Sequence, residues 1–150
     1  MTERLSELEL GAWQALLHSH HKLIRTLDAE LIAEHAITLG QYDVLLRLAR
    51  APDRRLPMAQ LAQRVLISPS GLTRVVDGLV REGLVQRNRS ETDGRVVLTG
   101  LTEKGWQIIK RAAQTHLRGI REHYTSQLTA TQLRQVTTAL ERISGPHQPH

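Results

Sequence analysis

Apolar residues recur at three- and four-residue spacing along most of this chain, broken by polar clusters into six helical stretches and one pair of short strands. The first stretch runs from about Ser6 to Ala36, with Leu8, Trp13, Leu16, Leu17, His20, Leu23, Ile24, Leu27, Leu31 and Ile32 in one stripe. A helix of roughly 30 residues is about 45 Å long. One chain of this size cannot cover such a stripe, so the pattern predicts packing against a partner chain. Thr38 and Gln41 have capping-box spacing, hydroxyl and amide each bonding the other's backbone N–H. They open a second helix to about Arg50, with Leu39, Tyr42, Leu45, Leu46 and Ala49 inward. Ala51 to Arg55 read as a turn, Pro57 to Val65 as a short third helix, and Leu66-Ile67 as a tight connection.

The next stretch organises the rest. Ser68 has the side-chain oxygen that caps a helix, and Pro69 suits the first helical position, where a missing N–H costs nothing. Leu72, Val75, Val76, Leu79 and Val80 then form an apolar face, and Gly83 stands where a positive φ ends a helix. Ser70, Gly71, Thr73, Arg74, Asp77 and Arg81 are left for the other faces. Leu84 to Arg87 and Val96 to Leu101 flank a polar tip, which reads as a hairpin with Asp93-Gly94 turn chemistry. Beyond it, Thr102 caps a fifth helix to about Ser126, with Trp106, Ile109, Ala113, His116, Leu117, Ile120 and Tyr124 along one side. Thr129 and Gln132 repeat the capping box before a sixth helix that stops at Gly145-Pro146, and the last four residues read as disordered. The third and fourth helices make a helix-turn-helix, and with the hairpin a winged helix. The fold class expected is mainly α with a small β-hairpin wing. It is read as a single domain over 1–150, with the winged helix at about 38–101 and dimerisation helices at about 6–36 and 103–144.

Composition sharpens this picture at two points. The 150 residues hold no Cys and no Phe, two Trp and two Tyr. Lack of Cys removes disulfides, thiolate zinc sites and thiol nucleophiles. Scarce aromatics leave little to stack the bases of a single strand. No run is long and apolar enough for a membrane span, and the acidic start is unlike a signal peptide, so a cytoplasmic protein is expected.

Charge has a location. Net charge is +5, and from Arg54 to Arg95 eight arginines (54, 55, 64, 74, 81, 87, 89 and 95) face four acids, a surplus of four. Arginine forks onto phosphate and guanine edges, so this segment predicts a polyanionic partner. Arg54, Arg55, Arg87 and Arg89 are phosphate candidates, which fix position without reading sequence. Arg74 either contacts DNA or pairs with Asp77 three residues on. The eight histidines include no tight pair four residues apart on one helix, so no metal site or cofactor is expected. No nucleophile, base and orienting group occur together, so no enzyme is expected either.

The ordered set Leu61-Ala62, Ser68-x-x-Gly71-Leu72-Thr73-Arg74-Val75-Val76-Asp77, Gly83-Leu84-Val85-x-Arg87, Asp93-x-Arg95 and Leu101-Thr102-Glu103-Lys104-Gly105 resembles the MarR family of winged-helix bacterial transcriptional regulators. The resemblance implies a symmetric homodimer on a pseudo-palindromic double-stranded DNA operator, acting as a repressor released by a small anionic or aromatic ligand. It places Ser68, Ser70, Thr73 and Arg74 on the groove face and Arg95 at the wing position that enters the minor groove. Asp93 is then Arg95's orienting partner or bonds within the wing. Trp13 and His20 with Tyr42 and Asp43 are candidate ligand contacts, as some members with urate-type inducers use a first-helix Trp and a second-helix Asp. Gly94 and Gly78 stand where the family often has Arg. A close approach is expected at Gly78. Two other readings suit the same residues: a module for an acidic protein or RNA, and a metal-responsive regulator.

Overall fold

The structure, a computed structural model, describes residues 4–65 and 69–146. Six α-helices and three strands follow in the order α1 (Glu7–His35), α2 (Leu39–Arg50), β1 (Arg55–Pro57), α3 (Met58–Arg64), α4 (Pro69–Arg81), β2 (Val85–Arg89), β3 (Val97–Leu101), α5 (Glu103–His123) and α6 (Ala130–Ser144). The Leu66-Ile67 connection, Ser68 and the four-residue tail lie outside the described residues. Contacts gather the chain into two compact units, one of residues 24–116 and one of residues 1–23 with 117–150.

The unit of residues 24–116 has a conventional core. Leu31, Ile37, Leu45, Leu48, Leu61, Leu72, Val76, Leu79, Leu84 and Val85 are all at most 2% exposed. The end of α1 leads into α2 through Ala36, whose φ of +55° turns the chain. The Asp28 carboxylate reaches across this corner and accepts from Leu39 N–H at 2.7 Å. Thr38 and Gln41 form the expected capping box. The α2 pattern concealed two core residues. Val44 and Leu48 are fully buried, because α2 is covered over a wider arc than one stripe.

The turn read from Ala51 to Arg55 is instead a 3₁₀ turn at Pro52–Arg54 followed by strand β1, and α3 begins after Pro57 rather than at it. β1 adds a third strand to the wing in the order β1-β3-β2, pairing antiparallel with Arg55 opposite Gly100 and Pro57 opposite Leu98. Three residues ending in proline carry almost no strand signal of their own. The strand exists because β3 has a free edge, and Leu56, 4% exposed, plugs the core beneath it.

The other unit, made of the start of α1, the end of α5 and α6, leaves its apolar side chains uncovered. Leu8 is 83% exposed, Trp13 53%, Leu117 60% and Ile143 78%. Its helix starts are nevertheless well formed. Ser6 and Glu9 exchange bonds at 2.7 and 3.2 Å, and Thr129 and Gln132 make the second expected capping box.

A methyl at Gly78 would meet Arg81 Nη2 at 3.7 Å and Gln41 Nε2 at 3.8 Å, ordinary contact distances, so no close approach among the described residues needs the glycine. Gly78→Ala should therefore stabilise α4 by about 1 kcal/mol through helix propensity alone. A thermal melt should show a midpoint higher by about 2–4 °C at fixed protein concentration. A lower midpoint would mean that α4 must bend or be approached at this position.

Candidate nucleic-acid interface

Helix α4 divides cleanly. Leu72, Val76 and Leu79 are buried against the core, while Ser70, Thr73 and Arg74 are exposed. This follows from the spacing of the apolar residues, which turns the intervening small and basic ones outward. Gly83, with φ +72°, ends the helix as expected. Asp77 is not Arg74's partner. It binds Arg87 of β2, Nη2 to Oδ1, at 2.6 Å. Among the described residues the Arg74 guanidinium has no bonding partner.

The wing is pinned by its own side chains. β2 and β3 pair from Val85 opposite Leu101 to Arg89 opposite Val97. Beyond the last rung, Ser90 N–H donates to Val96 O at 2.8 Å and Val96 N–H donates to Asp93 O at 3.0 Å. Asp93 Oδ1 accepts from Arg95 N–H at 3.0 Å, an Asx turn. The Asp-Gly pair lies in this longer tip, and Gly94 is not among the positive-φ residues. Seven residues separate the strands, and Asp93 opens a turn as its first residue instead of sitting at its centre. Asp93 thus bonds within the wing and holds the backbone of Arg95. The Arg95 side chain is exposed, with no bonding partner among the described residues.

The four phosphate candidates are not equivalent. Arg89 Nη1 donates to Gly94 O at 2.8 Å and braces the wing tip. Arg87 is engaged with Asp77. Arg54 lies over the Trp106 ring, its guanidinium carbon 3.8 Å from the centroid, with Lys110 at 5.4 Å. Arg55 is 4.0 Å from Asp53 in an exposed pair, weak at that distance.

Residues of the Leu-Thr-x-x-Gly run also build a joint between α4 and α5, which helical periodicity does not reveal. Thr102 N–H donates to Leu84 O at 3.1 Å, the Thr102 hydroxyl donates to Gly83 O at 2.7 Å, and Lys104 Nζ donates to Glu82 O at 2.9 Å. Gly105 N–H donates back to Thr102 Oγ1 at 3.1 Å, the cap bond of α5. Carbonyls just past the end of α4 are thereby satisfied by the start of α5, which fixes the direction in which the reading helix points. Leu-Thr-x-x-Gly was the available signal.

The candidate ligand residues fall in both units. Trp13 and His20 are exposed on α1. Tyr42 is 4% exposed and its ring lies 4.5 Å from that of His116. Asp43 binds Arg47 at 3.2 Å along α2. Burial raises the Tyr42 pKa, with Arg50 opposing and Asp43 adding to the rise. Burial also holds the His116 pKa below the ordinary imidazole value, against the pull of Asp43 and Glu30. His116 Nδ1 is buried and has no hydrogen-bond partner among the described residues. The neutral ring is therefore the form that fits beside Tyr42.

Comparison with known proteins agrees with this geometry. A family model described as the MarR family matches residues 36–96. The HTH-type transcriptional regulator MhqR of Bacillus subtilis is 30% identical over 112 residues, 75% of this chain and 75% of that protein. The homoprotocatechuate degradative operon repressor of Escherichia coli is 30% identical over 113 residues, 75% of this chain and 74% of that one. Among solved structures, Sco3205, a MarR family transcriptional regulator from Streptomyces coelicolor in complex with DNA, is 27% identical with a TM-score of 0.90. That match covers 99% of this chain and 93% of the other.

Proposed function

We propose that this chain, which belongs to the MarR family of winged-helix bacterial transcriptional regulators, is a homodimeric repressor of a pseudo-palindromic operator, released by a small ligand. It binds double-stranded DNA as a transcriptional regulator. The start of α4 enters the major groove through Ser70, Thr73 and Arg74, with Ser68 just before them, and Arg95 carries the wing into the minor groove. One observation carries the reading. Arg74 and Arg95 are exposed cations whose guanidinium groups have no bonding partner among the described residues, while Asp77 binds Arg87 and Asp93 binds the backbone N–H of Arg95. Arg55 supplies a phosphate contact.

The dimer rests on the uncovered side chains of α1, α5 and α6. Leu8, Trp13, Leu117 and Ile143 form the apolar surface that a second copy would bury. Sedimentation at micromolar concentration should give twice the 16.9 kDa chain mass. A monomer would remove the basis for a two-fold operator. Half-sites should lie roughly 34 Å apart, about one duplex turn.

One relative represses a homoprotocatechuate degradative operon. An aromatic acid is therefore the first ligand class to test, with Trp13 and His20 as candidate contacts in one unit and Tyr42 and Asp43 as candidates in the other. The protein acts in the cytoplasm and has no catalytic role. The deciding experiment selects bound duplexes from a random pool and measures their affinity against salt. A steep salt dependence with clear sequence preference supports the reading. Binding without preference would favour an acidic protein or RNA as the partner, and loss of preference with a chelator would favour a metal-responsive regulator.

A further inference from the structure

We propose that Arg87 is a positioning residue rather than a DNA contact, and that its bond to Asp77 latches the wing to the reading helix and so sets operator preference. This rests on the DNA-binding reading above. Asp77 belongs to α4, one turn beyond Arg74, and Arg87 belongs to β2, two residues before the wing tip brace at Arg89. The two meet at 2.6 Å, Nη2 to Oδ1, which is a charge-assisted bond at its shorter range.

Both ends of the latch are anchored. Val76, beside Asp77, is fully buried, so the α4 backbone cannot swing there. Arg87 pairs across the sheet with Thr99, which is fully buried and donates its hydroxyl to Met58 Sδ at 2.9 Å. The rung that carries Arg87 is thus tied to the first residue of α3 as well. A movement of the wing relative to α4 has to break the Asp77 bond or tear this rung.

The side chains of the pair are 32% and 44% exposed, so water screens it and it adds little to folding stability. Its consequence is geometric. Major-groove and minor-groove contacts must be made at once by Arg74 and Arg95, which sit on the two elements that the latch joins. A phosphate contact by Arg87 would have to share its guanidinium with Asp77, whose Oδ1 holds Nη2 and whose charge opposes a phosphate nearby.

Two singles and their double decide the matter, measured on the selected operator and on random duplex. Asp77→Asn removes an acid and frees Arg87. If the latch sets preference, operator affinity falls about tenfold while random-duplex affinity holds or rises. Arg87→Gln should lose the same factor on the operator, and the double variant should be no worse than either single. Arg87→Lys, which keeps a charge at that rung, should retain most of the preference. Melting midpoints near that of the parent would show that each variant is folded.

Other results overturn the proposal. If Asp77→Asn tightens binding to every duplex, Arg87→Gln weakens binding to every duplex with a shallower salt slope, and the two effects add, then Arg87 is a phosphate contact. In that case the DNA-binding reading survives. A parent protein without preference for any duplex would overturn both.

Discussion

Gly105→Ala is expected to destabilise the protein by about 3 kcal/mol, near the upper end for forcing a methyl into a packed site. A Cβ at this position would overlap the carbonyl oxygen of Leu84 and come within 2.8 Å of Leu101 Cδ1. The first of these neighbours is backbone, so it cannot rotate away. The same oxygen accepts the Thr102 N–H, and the adjacent carbonyls of Gly83 and Glu82 accept from Thr102 and Lys104. Relief of the overlap requires the start of α5 to lift from the end of α4, which stretches all three bonds together. For a chain of this length the melting midpoint should fall by about 10 °C, at a protein concentration held constant because a dimer's midpoint depends on it. Gly94→Ala is the control. Nothing lies within 4 Å of a Cβ there and its φ is not positive, so its midpoint should barely move. A Gly105→Ala midpoint within a degree or two of the parent would mean that α5 can shift freely on the joint.

The sequence was most readable where one physical rule acts alone over a few residues. Capping boxes at Thr38 and Thr129 need only a hydroxyl and an amide three residues apart, and both formed. The end of α4 at Gly83 needed only a positive φ. Elements that depend on distant partners were harder to see. β1 is made by the free edge of β3 and by the hole that Leu56 fills, neither of which is encoded between residues 55 and 57. At the wing tip the Asp-Gly turn chemistry was legible, and the loop also lets Asp93 and Ser90 bond the backbone with their side chains.

The candidate site was legible as a set of arginines and not as a set of roles. Counting charge between residues 54 and 95 found the polyanion-binding segment but could not say which cations stay available. That is decided by tertiary neighbours. Trp106 takes Arg54, Asp77 takes Arg87, and Gly94 O takes Arg89, although these partners lie from five to fifty-two positions away. Helical spacing allows Asp77 to pair with Arg74. The arginine that reached Asp77 came from the next strand, ten positions on. Once such pairs are drawn, Arg74 and Arg95 remain as exposed cations on the two elements expected to reach DNA, with Arg55, Arg64 and Arg81 exposed as well.

Arg95→Ala should weaken operator binding by about 1–3 kcal/mol, roughly 5- to 150-fold in affinity, with a smaller effect on random duplex. The geometry favours a large value. The backbone around Arg95 is held by Asp93 Oδ1, by the Val96 N–H to Asp93 O bond, and by Arg89 on Gly94 O. Little ordering is then left to do when the guanidinium enters a groove, so more of the contact energy is realised in binding. Minor-groove insertion also reads groove width, so the loss should be concentrated on operators with narrow A·T-rich segments where the wing lands. Asp93→Ala provides an internal comparison. It raises net positive charge, yet it removes the bond that places the Arg95 backbone. Operator affinity should fall despite the added charge, by less than in Arg95→Ala because the guanidinium is still present. Arg55→Ala, at an exposed and weakly paired cation, should lower affinity on all sequences and reduce the magnitude of the salt slope by about one unit. If Arg95→Ala behaves as Arg55→Ala does, with equal losses on every duplex, the wing contributes charge alone and sequence is read entirely by α4.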